Sequence, residues 1–162
     1  MKLAQAMPEL QSIVENFVSA EQRLQETVAR MPPARWSEPS PNAGWTNKDL
    51  LAHLSTGDWI CQYFLHELLK TGRVPDSPDA DAGNAERVAA RRDKSVSELA
   101  VERAEHRNET VSLISQLQPE HLDSPIDMPW FNVRGAPFRL YLQGFPGHDI
   151  EHTRELGVIA ER

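Results

Sequence analysis

With 162 residues, 40% of them apolar, the chain is long enough to bury a core and too apolar to be disordered, which predicts one domain over residues 1–162. Its formal net charge of −7 argues against nucleic acid or an anionic membrane as a partner, because both attract clustered lysine and arginine. The sequence lacks an apolar run of membrane-spanning length and an apolar signal-peptide core at its start, so we expect a cytoplasmic protein.

Helical periodicity marks two long segments in the first half of the chain. The first covers residues 8–31, where Pro8 suits the first helical turn and Pro32 stops the helix because it cannot donate a backbone hydrogen bond. The second covers residues 47–70 and opens with a capping box at Thr46. Both segments carry an apolar stripe, as expected for helices that pack against a core.

An acidic loop at residues 72–83 and a short helical turn at residues 84–92 lead to the third long helix, residues 95–118. Ser95 begins a capping box for this helix. Its stripe is more polar than the others and consists of Leu99, Arg103, Arg107, Val111, Ile114 and Leu117. Residues 119–136 contain three prolines and are expected to form a loop.

The fourth helix is expected over residues 137–160, with a kink or local break at Pro146. No segment shows sustained apolar–polar alternation, so we expect essentially no sheet. Four long helices predict an all-α protein built as a four-helix bundle. The long connection between the second and third helices allows them to run parallel, which gives an up-down-down-up order.

Three of the six histidines lie on apolar helical stripes. His148 and His152 are four residues apart, so a helix places both rings on one face, one turn apart. His53 lies on the apolar face of the second helix. These histidines are either core residues with ordinary hydrogen-bond partners or the ligands of one divalent metal ion brought together by two facing helices. We favour the metal site, because two buried imidazoles one turn apart need a shared partner.

Three neutral imidazoles suit zinc, nickel or iron, and leave at least one coordination position open, as in catalytic rather than structural sites. Cys61 lies about 12 Å along the helix from His53, at about 1.5 Å per residue, and is interpreted as a small buried apolar residue. His66 and His121 are interpreted as solvated. The role of His106 stays open.

Two carboxylates flank the expected ligands, Asp149 and Glu151. Each is either exposed, paired across the bundle, or the acceptor of the far ring N–H of a ligand histidine. The spacing does not predict a metalloprotease of the His-Glu-x-x-His type, since Asp149 is one methylene shorter than the glutamate required.

Two segments together resemble one protein family. Residues 44–54 read Gly-Trp-Thr-Asn-Lys-Asp-Leu-Leu-Ala-His-Leu, and residues 147–152 read Gly-His-Asp-Ile-Glu-His. This pair resembles the DinB/YfiT-like superfamily over nearly the whole chain. The resemblance implies a four-helix bundle of up-down-down-up topology, a metal triad formed by His53, His148 and His152, and, as in many members, a homodimer.

Characterised members of this superfamily include enzymes that use low-molecular-weight thiols. The resemblance therefore implies a small-molecule substrate and a thiol co-substrate. The sequence departs from the family pattern at Ala136, where serine or threonine is frequent, and at Pro146, just ahead of the expected ligands.

The leading functional hypothesis is a thiol S-transferase in which a bound metal ion holds the thiol as thiolate. The loops at residues 72–83 and 119–136 would wall the pocket, with Trp130 and Phe131 supplying apolar contact. No catalytic residue beyond the metal ligands is assigned from the sequence.

Two alternatives stay open. The first is a hydrolase that uses metal-bound water, with Asp149, Glu151 or Asp58 as the carboxylate near that water. The second is a helical module without turnover, in which Trp36 or Trp59 belongs to a dimer interface instead of the core.

Overall fold

The computed structural model describes the backbone of residues 2–162 and the side chains of residues 8–162. The helices are α1 (Lys2–Arg30), α2 (Asn47–Thr56), α3 (Trp59–Thr71), α4 (Asn84–Ala89), α5 (Val96–Ile114), α6 (Phe138–Gly144) and α7 (Pro146–Ala160). Short 3-10 turns cover Pro33–Ser37, Pro119–Asp123 and Pro129–Phe131. Two strands, β1 (Pro125–Met128) and β2 (Val133–Pro137), form a hairpin. The all-α class expected from the sequence is confirmed.

Side-chain contacts fix the direction of α5 relative to α1. Arg103 donates to the carboxylate of Glu21 at 2.7 Å, and Arg107 donates to the carbonyl of Phe17 at 3.2 Å. Moving forward along α5 therefore moves backward along α1, so these two helices are antiparallel.

The same arginines show how α5 lies beside α2 and α3. Arg103 donates to the carbonyl of Leu54 at 2.8 Å, and Arg107 donates to the carboxylate of Asp58 at 2.8 Å. Later residues of α5 contact later residues of the segment that holds α2 and α3. Helix α5 therefore runs parallel to α2 and α3. The long connection between them, residues 72–83 followed by α4, makes this arrangement possible.

The last two helices run against α2 and α3. His53 lies beside His148, with their Nε2 atoms 3.3 Å apart, while Phe64 lies beside Tyr141, with ring centroids 5.1 Å apart. Later residues of α2 and α3 thus meet earlier residues of α6 and α7. The bundle therefore has the expected up-down-down-up order, in which α1, α2 with α3, α5, and α6 with α7 are the four members.

Two of the predicted helices are interrupted. The second breaks at Gly57, whose N–H bonds to the carbonyl of Leu54 three residues back, and the chain restarts as α3 at Trp59. The prediction of a single uninterrupted helix over residues 47–70 was therefore wrong. The break expected at Pro146 is confirmed, since α6 ends at Gly144 and α7 starts at the proline, where the missing N–H costs no bond.

Two boundaries also differ from the prediction. Helix α1 already begins at Lys2, so Pro8 lies inside it and not in its first turn. The proline removes one backbone donor there but keeps a helical φ. Helix α5 ends at Ile114, because the backbone hydrogen bonds beyond it join residues three apart, as from the N–H of Leu117 to the carbonyl of Ile114.

The expectation of no sheet was wrong, because residues 125–137 form an antiparallel hairpin. Ile126 and Met128 face the core, and Asn132 takes the left-handed conformation at the turn, with φ 53°. The N–H of Gly135 donates to the side chain of Asp127 at 2.8 Å. The alternation is too short to stand out in the sequence, since strand β1 has only 4 residues.

The buried apolar residues form two core clusters, one toward each end of the bundle. The first includes Phe17, Phe64, Leu68, Ile114 and Phe138. The second includes Leu24, Leu50, Leu54, Leu99 and Leu156. On α5, Arg103 and Arg107 lie between the two clusters and are both buried. Among the described residues, no helix combines the length and apolar character needed to cross a membrane.

Candidate metal centre

The three histidines singled out in the sequence lie together at one side of the bundle. His53 comes from α2, and His148 and His152 come from successive turns of α7. The Nε2 atoms of His53 and His148 are 3.3 Å apart, and one ring nitrogen from each of the three residues lies within 4.8 Å of the others. Spacing of four residues on α7 and the antiparallel packing of α2 against α7 together produce this cluster.

The environment of His53 keeps its ring neutral. Its ring is partly buried and lies against Trp45, with centroids 5.1 Å apart. Burial, together with the neighbouring rings of His148 and His152, lowers the pKa of His53 to about 4. A neutral imidazole has the lone pair that a metal ion requires.

Two carboxylates lie beside the Nδ1 atoms of the two histidines on α7. Nδ1 of His152 lies 2.7 Å from Glu155, and Nδ1 of His148 lies 3.4 Å from Asp149. A carboxylate accepts a hydrogen bond from the Nδ1–H group, which favours the tautomer whose Nε2 carries a lone pair for an ion. Glu151, the other carboxylate considered from the sequence, is exposed and has no contact with the cluster among the described side chains.

Asp149 combines two of the roles considered for it. It contacts His148 through Oδ1, and its Oδ2 accepts from Arg103 at 2.8 Å and also from Arg107. Burial acts to raise the pKa of its carboxyl, but the charge of Arg103, the contact with His148 and the charge of Arg107 outweigh burial and hold that pKa well below its usual range. The side chain is therefore an anion fixed between a histidine and two arginines.

A group of charged and polar side chains, most of them buried, extends from Asp149 through the bundle, and we call it the polar layer. Asp58 accepts from Arg107 at 2.8 and 2.9 Å, from Thr110 at 2.7 Å and from Arg103 at 3.3 Å. The members of the polar layer are Glu21, Asp58, Arg103, Arg107, Thr110 and Asp149. Burial acts to lower the pKa of Arg103, but the facing carboxylates of Asp149, Asp58 and Glu21 raise it.

Sequence reasoning missed the polar layer and the role of Glu155. Arg103 and Arg107 stand four residues apart on an otherwise apolar stripe, which is a signal for buried cations with buried partners. Glu155 stands three residues after His152, a spacing that places both on one helical face. The signal from the arginines does not identify their partners, because those partners lie on other segments of the chain.

The remaining cysteine and histidines have separate surroundings. Cys61 is buried, as predicted, and burial raises the pKa of its thiol. His66 is exposed and lies 3.4 Å from Glu109, and Nδ1 of His121 accepts from the N–H of Gln118. His106 lies 2.7 Å from the carbonyl of Ser55.

The aromatic residues considered for a pocket or an interface are dispersed. Trp130 and Phe131 lie at the hairpin turn and are exposed, with Trp130 6.4 Å from the ring of Tyr141. Their role in a pocket stays a prediction. Trp36 is buried in the second core cluster, and Trp59 packs beside the first.

The histidine cluster fits a divalent metal ion. At zinc–nitrogen distances of about 2.0–2.1 Å, two ligands of a tetrahedral ion lie about 3.3 Å apart, the separation of the His53 and His148 nitrogens. Among the described residues, no fourth histidine, cysteine or carboxylate joins the group. The side chain of His148 is 50% exposed, so the cluster is open to small molecules.

Solved structures similar to this chain share its fold. A mycothiol-dependent maleylpyruvate isomerase superposes with a TM-score of 0.75 at 14% identity, covering 91% of this chain and 60% of the isomerase. The chain thus spans about three fifths of that protein. The colibactin self-resistance protein ClbS, solved in complex with double-stranded DNA, gives a TM-score of 0.71 at 14% identity, covering 94% of this chain and 96% of ClbS.

A third similar structure is a DinB-like protein of Bacillus subtilis, YjoA, with a TM-score of 0.59 at 21% identity, covering 93% of this chain and 90% of YjoA. Identities this low show a common fold and nothing of substrates. Comparison with curated proteins gives no match. The sequence profile of the DinB superfamily matches residues 16–156. With that match over most of its length, the chain belongs to the DinB superfamily.

Proposed function

We propose that His53, His148 and His152 bind one divalent metal ion and that the protein is a metal-dependent transferase that joins a low-molecular-weight thiol to a small electrophile. The observation that supports the proposal most is the cluster of three ring nitrogens within 4.8 Å, open on the side of His148. Zinc, nickel and iron all suit three imidazole ligands. The thiol-dependent isomerase among the structural neighbours adds support at the level of the fold.

The chain's own residues have distinct roles in this proposal. A bound divalent ion would supply the positive charge that keeps a thiol ionised at neutral pH. Glu155 and Asp149 fix the tautomers of His152 and His148. The thiolate sulfur forms a bond to the electrophilic carbon, the leaving group departs with the electrons of the broken bond, and the thiol proton goes to solvent.

Hydrolysis is less well supported by the carboxylates near the cluster. A hydrolase needs a carboxylate oxygen free to take a proton from water. Both oxygens of Asp58 and both of Asp149 already accept hydrogen bonds from within the bundle. Glu151 points to solvent, without contact to the histidines among the described residues. None of the three carboxylates that the sequence suggested for this role therefore offers a free oxygen beside the histidines.

Turnover that requires both thiol and metal would test the proposal. The zinc-loaded protein is mixed with 1-chloro-2,4-dinitrobenzene and each of several small thiols, and thioether formation is followed by absorbance. We expect at least one thiol to give turnover that chelation abolishes and added zinc restores. Cleavage of a p-nitrophenyl ester at a rate independent of thiol, or the absence of any turnover, would contradict the proposal.

Glu155 offers a sharp test of the ligand geometry. We expect Glu155→Gln to weaken zinc binding by about 10- to 100-fold, because glutamine no longer fixes the His152 tautomer as an anion does. Glu151→Gln, the same change on an exposed residue of α7, should leave the affinity unchanged. Competition with a chromophoric chelator measures both. Equal affinities for the two variants would remove Glu155 from the metal centre.

Several features remain predictions from the sequence and the family resemblance. They are the single domain over residues 1–162, the homodimer, the cytoplasmic location and the absence of nucleic acid as a partner. The last rests on the net charge of −7, although one protein of similar fold, ClbS, was solved with double-stranded DNA.

A further inference from the structure

Arg87, on α4, is held in one place by several neighbours. The centre of its guanidinium lies 4.3 Å from the centroid of the Trp59 ring. Its Nη1 donates to the carbonyl of Ala82 at 3.0 Å and to the side chain of Asn84 at 3.2 Å. Stacking on an aromatic face and two hydrogen bonds remove most of the rotational freedom of a long side chain.

Gly83 makes room for this guanidinium. A Cβ built on Gly83 would lie 3.3 Å from Nη2 of Arg87, closer than most side chains tolerate, and the glycine has a φ of +78°. The absence of a side chain at this position therefore lets the guanidinium lie flat against the start of α4. Arg87 is thus a cation held in place on α4.

The charge of Arg87 is not neutralised by the described part of the protein. Arg91, Arg103 and Arg107 all form ion pairs with carboxylates. Among the side chains of residues 8–162, none of the carboxylates lies within ion-pair distance of Arg87. In the same range, Nη2 and Nε of Arg87 donate to no acceptor. A guanidinium that is fixed but keeps one edge free can bind a carboxylate with two parallel hydrogen bonds.

Arg87 also lies near the histidine cluster. Helix α4 packs on α2, the helix that carries His53, and Val88 joins the second core cluster beside Leu51 and Leu54. Trp59, on which the guanidinium stacks, follows His53 by six residues and begins α3 shortly after the end of α2. A molecule bound at the histidines that extends along α2 toward Trp59 would therefore reach this cation.

We propose that Arg87 is a substrate-binding residue that holds a carboxylate of the thiol or of the electrophile, so that the protein acts on an anionic small molecule. This inference rests on the proposed function, since it places the carboxylate on a molecule that also reaches the metal centre. Trp59 keeps the guanidinium in position, and the free edge of the guanidinium selects the anion.

The test compares thiols that differ only in charge, using protein loaded with cobalt(II) as an optical probe. The probes are 3-mercaptopropionate against 3-mercapto-1-propanol, and 6-mercaptohexanoate against 6-mercapto-1-hexanol, followed by sulfur-to-cobalt charge-transfer absorption. In the parent protein we expect at least one carboxylate to bind about 10-fold more tightly than its alcohol, the size expected of charge-assisted hydrogen bonds.

Three variants complete the test. Arg87→Gln should abolish the preference while cobalt content and binding of the alcohols stay unchanged, and Arg87→Lys should keep part of it, because lysine retains the charge but loses the planar fork. Arg92→Gln, on an exposed arginine just after α4, should behave like the parent. Equal binding of the carboxylates and alcohols in the parent would overturn the role of Arg87 alone. Cobalt uptake without binding of any thiol would overturn the proposed function as well.

Discussion

Replacing His53 with alanine is expected to remove the metal from the protein. Parent protein purified without a histidine tag and dialysed against zinc should hold about one ion per chain, and the variant should bind more than about 100-fold more weakly, because a lost ligand costs more than a lost outer partner. His53 is the only one of the three rings supplied by α2. Without it the two rings on α7 have no partner across the bundle.

The matched control is His66→Ala, which removes an exposed histidine of α3 that lies beside Glu109. Metal content by plasma emission spectrometry and helicity by circular dichroism are measured for all three proteins. We expect the control to retain the parent's zinc and both variants to stay helical. Equal zinc in the parent and in His53→Ala would remove His53 from the site.

Replacing Arg107 with methionine is expected to destabilise the fold more than any surface change. The substitution keeps much of the side-chain volume but leaves Asp58 and Asp149 buried with less compensating charge. Removing one partner of a buried ion pair costs about 3–5 kcal/mol of the free energy of unfolding. Urea denaturation of the metal-free protein gives this quantity directly.

Arg35→Met provides the comparison, since Arg35 pairs with Glu38 on the surface at 3.2 Å. An exposed pair contributes about 0–1 kcal/mol, so we expect a small change there. If Arg107→Met lost no more stability than Arg35→Met, the buried charges would not be tightly coupled, and the polar layer would have no structural role.

The polar layer and the histidine cluster meet at Asp149. One oxygen of this residue contacts His148 and the other accepts from Arg103 and Arg107. A side chain tied to two buried arginines has little freedom to move, so His148 is oriented by a fixed anion. The two core clusters, one on each side of the polar layer, pack together the helices that carry these groups.

Features determined by neighbouring residues along the chain could be predicted from the sequence. The spacing of His148 and His152 requires only helical geometry, and the capping boxes at Thr46 and Ser95 formed as expected. That His53 meets them follows from the apolar face of α2 together with the family resemblance. The order of the helices was expected because the long second connection allows two of them to run parallel and because the family resemblance implies it.

Features determined by contacts between distant segments could not be predicted from the sequence. The carboxylate partners of Arg107, which are Asp58 and Asp149, lie 49 and 42 residues away along the chain. The hairpin escaped prediction because its strands are short and lie in a proline-rich segment, and the break at Gly57 because one glycine is tolerated in many helices.

X-ray absorption at the zinc edge tests the central claim most directly, because it counts the atoms bound to the ion. For zinc-loaded parent protein we expect imidazole scattering from three histidines, with zinc–nitrogen distances of about 2.0–2.1 Å, and one oxygen ligand from solvent. Adding a small thiol should replace that ligand with sulfur at about 2.3 Å. A spectrum with fewer than three imidazoles would contradict the account.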